Sequence, residues 1–115
     1  MVWRCGLLIC GLMIATAPGA LAQSQPSDCA SELTRIRKAE TELPKLEVAP
    51  PGDRQIVCIT LETNVLFARR LAAHIQKCPR SPYARSAGDW NRKRAGYSAQ
   101  FNERGCKPTI RGYRG

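Results

Sequence analysis

The sequence predicts an all-α protein, a small three-helix bundle or a helical hairpin with a third helix added, stapled by two disulfides. Three observations lead there. Three stretches carry helical periodicity and are bounded by capping residues and Pro or Gly breakers. Four cysteines remain once an N-terminal export segment is set aside. A length of 115 residues allows one domain with a modest core. Hydrophobic residues make up 43% and charged residues 23%, which excludes a disordered chain and a polytopic membrane protein.

Residues 1–22 read as a secretory signal. Arg4 supplies a positive start, Gly6 to Ala15 an apolar run, Pro18-Gly19 a helix break, and Ala20-Leu21-Ala22 a small-x-small cleavage pattern. The run is about 10 residues, half of the roughly 20 that span a bilayer, which weighs against an uncleaved anchor. A lipoprotein site at Cys10 is disfavoured by the bulky Ile9 before it. Cleavage after Ala22 leaves 93 residues, removes Cys5, Cys10 and Arg4, and lowers the net charge from +9 to +8.

The first helix is expected from about Asp28 to Leu43, with Ser27 as N-cap and Cys29, Leu33, Ile36 and Leu43 on one face. Pro44 ends it. An aperiodic linker closes on Pro50-Pro51-Gly52, and Asp53 then caps a long second helix to about Lys77. Val57, Cys58, Leu61, Val65, Ala68, Ala72 and Ile75 share one of its faces, with Ile56, Ile59, Leu66 and Phe67 roughly opposite. A helix apolar on two sides needs partners on both, so it is placed at the centre. Glu62, Arg69 and Arg70 interrupt any membrane span. After a linker punctuated by Pro79, Pro82 and Gly88, Asp89 is expected to cap a third helix to about Arg104, stopped by Gly105. Its aromatic stripe, Trp90, Tyr97 and Phe101, is read as core. The chain thus divides into the signal, a stapled helical domain over 23–106, and a basic flexible tail over 107–115.

Cys29, Cys58, Cys78 and Cys106 are an even set in an exported chain, which points to disulfides. No Cys-x-x-Cys occurs to make a redox motif, and the wide spacings do not suit structural zinc. Geometry selects the pairing. On a continuous helix Cys58 and Cys78 stand about 30 Å apart, far beyond the roughly 4.4–6.8 Å that a bridge spans. If the third helix folds back antiparallel, it descends about 25 Å and delivers Cys106 to the level of Cys58. Cys58–Cys106 and Cys29–Cys78 follow.

Signals of catalysis are sparse. His74 is the single histidine and reads as a surface or packing residue; an enzyme would need a pocket joining it to a carboxylate. Glu40, Glu42 and Glu47 read as a solvated acidic edge rather than paired catalytic carboxylates. No phosphate-binding loop, metalloprotease or EF-hand pattern is present. The sequence therefore assigns no catalytic residue, metal or cofactor.

Charge is more informative. Gln23 to Ala68 hold 5 basic and 7 acidic residues, whereas Arg69 to Gly115 hold 12 basic and 2 acidic. Such a field attracts acidic surfaces or polyanions. The expected anion-binding residues are Arg92, Lys93, Arg94, Arg104, Lys107, Arg111 and Arg114, with Tyr83 and Tyr113 as aromatic contacts. The sequence is read as an exported, periplasmic or secreted binding protein without enzymatic activity. Its partner is expected to be an acidic protein, an anionic lipid or a polysaccharide, export weighing against nucleic acid. The competing reading is a protein–protein module, such as an inhibitor or an accessory subunit of a cell-envelope complex, with the charge serving solubility.

Overall fold

A computed structural model describes residues 28–113; the signal expected over 1–22, the expected cap Ser27 and the expected anion-binding Arg114 lie outside the described residues. The protein is all-helical, with no strand among the described residues. Helices α1 (Cys29–Thr41), α2 (Arg54–Lys77) and α3 (Ala87–Glu103) are joined by linkers that contain the short 3-10 turns Leu46–Val48 and Pro82–Ser86. Both disulfides pair as the geometry of the sequence requires. Cys29 and Cys78 have Cα atoms 6.0 Å apart, and Cys58 and Cys106 5.6 Å apart.

Helix α2 is central, with α1 and α3 each packed along it. Its start is set by Asp53, whose Oδ1 accepts from Ile56 N at 3.1 Å. Helix α3 begins three residues earlier than its sequence suggests, with Ser86 rather than Asp89 at the N-cap position. Pro82 opens a 3-10 turn that runs directly into it, and Asp89 sits in the first turn rather than at the cap. Position 28, immediately before α1, is an aspartate that makes no capping bond; its carboxylate pairs with Lys77 instead. Gly105 ends α3 with φ +64°, a left-handed conformation that L side chains rarely adopt.

Two apolar clusters lie on α2. Toward its N-terminal half, Val57, Leu61 and Val65 bury against Phe101 and Tyr113, with Leu46, Tyr97 and Cys106 at the edge. Toward its C-terminal half, Phe67 and Leu71 bury against Ile36 of α1, with Trp90 and Tyr83 alongside. Trp90 meets Phe67 edge-on at 5.0 Å between ring centroids, and Phe101 meets Tyr113 at 4.7 Å. The stripe of α3 is thus core. The first linker is tied down as well, since Asn64 Nδ2 donates to Pro44 O at 2.9 Å and to Thr60 O at 2.8 Å.

The segment after Cys106, expected as a flexible tail, is docked on α2 as far as residue 113. Glu62 is fully buried, and its carboxylate accepts from Thr109 N (2.9 Å), Thr109 Oγ1 (2.9 Å) and Ile110 N. A buried carboxylate is tolerated only with such partners. Tyr113, expected as an exposed aromatic contact, is carried into the core by this clamp, where burial raises its phenol pKa. The physical reason is register: Glu62 lies one turn after Cys58 on the same helical row, so chain leaving Cys106 must pass it.

Two stability outcomes follow. Replacing Glu62 by Ala strands two amide donors and should cost about 2–4 kcal/mol by urea unfolding. It should also speed hydrogen exchange at residues 109–113 while leaving α1 protected. Removing Cys58–Cys106 as a double Ser variant opens a loop of 48-residue separation. The chain-entropy model gives about 4 kcal/mol for that loop, so a measured loss under about 1 kcal/mol would show that the bridge is incidental to the fold.

Candidate functional site

The Cys29–Cys78 bridge holds α1 against the last turn of α2, and one turn from each cysteine stands a polar residue. Glu32 follows Cys29 by three positions, and His74 precedes Cys78 by four. Both spacings keep a residue on its cysteine's side of the helix. The result is a hydrogen-bonded chain. His74, almost wholly buried, places Nδ1 2.6 Å from Glu32 Oε1 and Nε2 2.8 Å from Ser81 Oγ. Glu32 only accepts, so Nδ1–H donates to it, and in the neutral imidazole Nε2 accepts the Ser81 hydroxyl. Glu32 Oε2 and Asp28 Oδ2 also accept from Lys77 Nζ, both at 2.8 Å. The Lys77 ammonium, and then His74, hold the Glu32 carboxyl down to about 2.

Sequence reasoning asked for a carboxylate joined to His74 before admitting catalysis, and the structure supplies one together with a serine. The order carboxylate–imidazole–hydroxyl is that of an acyl-transfer triad. A triad also needs a free nucleophile and donors for an oxyanion. Ser81 is buried, and its Oγ accepts from Tyr83 N at 3.4 Å as the cap of the 3-10 turn. The amides around it are engaged: Ser81 N donates to Cys78 O and Ala84 N to Ser81 O, while residue 82 is proline. The chain satisfies a buried imidazole and locks the second linker onto α1 and α2. Nor is the cluster a ligand set for a metal in this form. Glu32, His74 and Cys78 offer atoms within 4.8 Å of one another, but the Cys78 sulfur is bonded to Cys29 and has no thiolate to give.

The cations fall into two groups. Arg92 and Lys93 project from the first half of α3 and are partly neutralised by Asp89, at 3.6 Å and 3.3 Å; Lys93 Nζ also lies 4.6 Å from the Trp90 ring centre. Arg94, on a third side of the helix, is half-buried beside Asn91. Arg104 and Lys107 stand at the other end of the bundle, exposed and without an ion pair among the described residues, as is Arg111 further along the docked segment. Tyr83 is half-buried on α1, where burial and then the Glu40 carboxylate push its phenol up to about 12.

Arg54 joins the second group, and sequence reasoning missed it because it falls in the acidic half. Its Nη2 donates to Arg104 O and Gly105 O, both at 2.9 Å, which fixes the guanidinium across the end of α3. A Cβ at position 105 would approach that nitrogen to 3.3 Å, so glycine serves both the turn and the contact. Beside it opens a cavity of about 470 Å³, lined by Arg54, Cys58, Ile59, Cys106, Lys107 and their neighbours. Ile56 and Ile59 are 43% and 38% exposed at this end of α2. The sequence offers the second apolar face that contains them, but not that α1 stops short of covering it.

The Glu32 network carries a pH signature. Its carboxyl titrates near 2 in the fold against an ordinary 4.5, so it contributes stability fully above about pH 4.5, and that contribution is lost as pH falls toward 2. Asp28 is lowered by the same lysine and acts in the same direction. Glu32→Gln should therefore be less stable than the parent at pH 7 and nearly equal to it at pH 2 by urea unfolding. Ser81→Ala should lower Tm, and a fluorophosphonate should leave Ser81 unlabelled; labelling there would make the serine a nucleophile and overturn the structural assignment.

Comparison with family models, curated proteins and solved structures gives no match for this chain, so similarity assigns it no function and the chemistry of these residues carries the reading.

Proposed function

We propose that the chain is an exported, non-enzymatic binding protein that engages an anionic partner through its cationic C-terminal half. The observation that carries this is the fate of the charges. Five of the nine carboxylates have partners: Asp28 and Glu32 with Lys77, Asp53 as a helix cap, Glu62 under the docked segment, and Asp89 with Arg92 and Lys93. The exposed Glu40, Glu42 and Glu47 lie on and just after α1, and Glu103 at the end of α3. Arg104, Lys107 and Arg111 are left exposed and unpaired with any carboxylate among the described residues. These three cations lie at the Gly105 end of the bundle and on the docked segment, where Glu103 is the exposed carboxylate nearest in sequence, so the field there is positive.

Disulfide pairing and the lack, among the described residues, of a helix long and apolar enough to cross a membrane are consistent with export. The periplasm or the extracellular space is the compartment this reading assigns. There, acidic proteins, anionic lipid and acidic polysaccharide are the available partners. The packing of Trp90, Tyr97 and Phe101 into the bundle favours electrostatic attraction over an aromatic protein–protein hot spot.

Polyglutamate serves as a model anion. The mature chain should bind it at low ionic strength and lose at least tenfold in affinity between 50 and 500 mM salt, as the screening length shortens from about 14 Å to about 4 Å. Arg104→Glu with Lys107→Glu should reproduce most of that loss at low salt. Binding indifferent to both salt and charge reversal would remove the electrostatic reading and leave the charge to solubility.

A further inference from the structure

We infer that the cavity at the Cys58–Cys106 end binds a single-chain aliphatic carboxylate, a ligand of the fatty-acid class, with its chain against the disulfide and Ile59 and its head between Arg54 and Lys107. The inference refines the anion-binding reading at one of its sites, because Lys107 serves both. It draws affinity from a different source and can fail alone.

Size comes first. At about 470 Å³ the cavity lies within the range of small-molecule pockets, roughly 300–1,000 Å³. Its apolar wall is the Cys58–Cys106 bridge and the side chain of Ile59, with Ile56 exposed one turn earlier on α2. Two neighbouring branched side chains left at 43% and 38% exposure on an otherwise packed helix mark a surface without a partner inside the molecule.

Charge at the mouth then selects the head group. The Arg54 guanidinium is held by two backbone carbonyls through Nη2 alone, so the three N–H groups on Nη1 and Nε remain to donate. A guanidinium fixed in this way loses little freedom when it meets a planar carboxylate. Lys107, on the same lining, has no carboxylate partner among the described residues. Two acids lie nearby in sequence. Asp53 is engaged in capping α2, and Glu103 is in the last turn of α3, one residue before the exposed Arg104. Glu62 stands behind the wall with its carboxylate taken up by Thr109 and Ile110, and among the described residues the lining itself carries two cations, Arg54 and Lys107, and no carboxylate.

A peptide and a bilayer fit less well. Extended peptides pair through runs of backbone groups, and three amides along the Gly105–Thr109 side of the lining are already used: Gly105 N donates to Asn102 O, Cys106 N to Phe101 O, and Thr109 N to Glu62. A bilayer is met by a face carrying several aliphatic side chains, whereas this site presents two. An alkyl chain requires no hydrogen bonds and can lie along the bridge and Ile59.

The test uses the mature chain with both disulfides intact and follows Ile59, Cys106 and Lys107 amides by heteronuclear NMR as decanoate is added below its micellar concentration. Saturable shifts confined to this end are expected, with affinity at least tenfold above that for decanol or for butyrate. Ile59→Asp should weaken decanoate binding at least tenfold, and Lys107→Glu at least fivefold. Both side chains are exposed enough that an unchanged Tm will verify the fold. No saturable shift, equal binding of decanol, or an unaffected Ile59→Asp variant would overturn the proposal. So would binding to phosphatidylglycerol vesicles without binding of monomeric decanoate. Loss of decanoate binding with polyglutamate binding preserved removes this inference alone, and the converse removes only the polyanion reading.

Discussion

Everything in the structure depends on α2 being cross-linked at its two ends to two different neighbours. The half-cystines at 58 and 78 lie about 30 Å apart along that helix and face nearly opposite ways, so one bridge holds α1 and the other the end of α3. The apolar core between them is small. Apart from cystine, its fully buried hydrophobic side chains are Ile36, Leu61, Val65 and Leu71. At about 1.5–3 kcal/mol each, these meet a conformational entropy cost that grows with every ordered residue. Restricting the unfolded chain through two loops of nearly 50 residues is thus a main term in the balance rather than an accessory to it.

Each bridge also organises a polar cluster of its own. Residues one turn from a half-cystine on either helix are brought face to face by the cross-link. Around Cys29–Cys78 these are Glu32 and His74, with Ser81 added by the linker. Around Cys58–Cys106 they are Glu62 and the amides of Thr109 and Ile110. Both clusters satisfy a buried titratable side chain that would otherwise cost several kcal/mol. They are the second layer of the same cross-links and fix the angle at which each neighbour docks.

The helices and the disulfide pairing were legible in the sequence because they rest on period, capping and rise per residue. All three are local properties, and Asp53 and Gly105 act where their chemistry places them. The polar clusters were legible in principle, since the 29–32 and 74–78 spacings follow from the pairing itself. Neither cluster is local: His74 by itself carries no sign of Glu32, 42 residues away, and Glu62 by itself shows only a charge that forbids a membrane span. The docking of residues 107–113 was hidden by composition: Lys107, Arg111 and Gly112 read as solvent-facing, and nothing local says that Glu62 would gather the backbone between them. The cationic site at the end of the bundle was half legible. Arg104 and Lys107 stand out by charge, whereas Arg54 joins them only through tertiary contact with the Arg104 and Gly105 carbonyls.

That last contact links scaffold to site. The Cys58–Cys106 bridge closes α3 onto α2, and the same sulfur atoms form the apolar wall of the cavity that Arg54 and Lys107 border. Breaking the bridge would release the end of α3, and with it the two carbonyls that hold the Arg54 guanidinium in place. The wall and the charge would be lost together, not in sequence. A site built this way exists only where the disulfide persists. An oxidising compartment is then a condition of its geometry as much as of its stability, and the thiol form of the chain would present the same cations without the wall that the bridge forms.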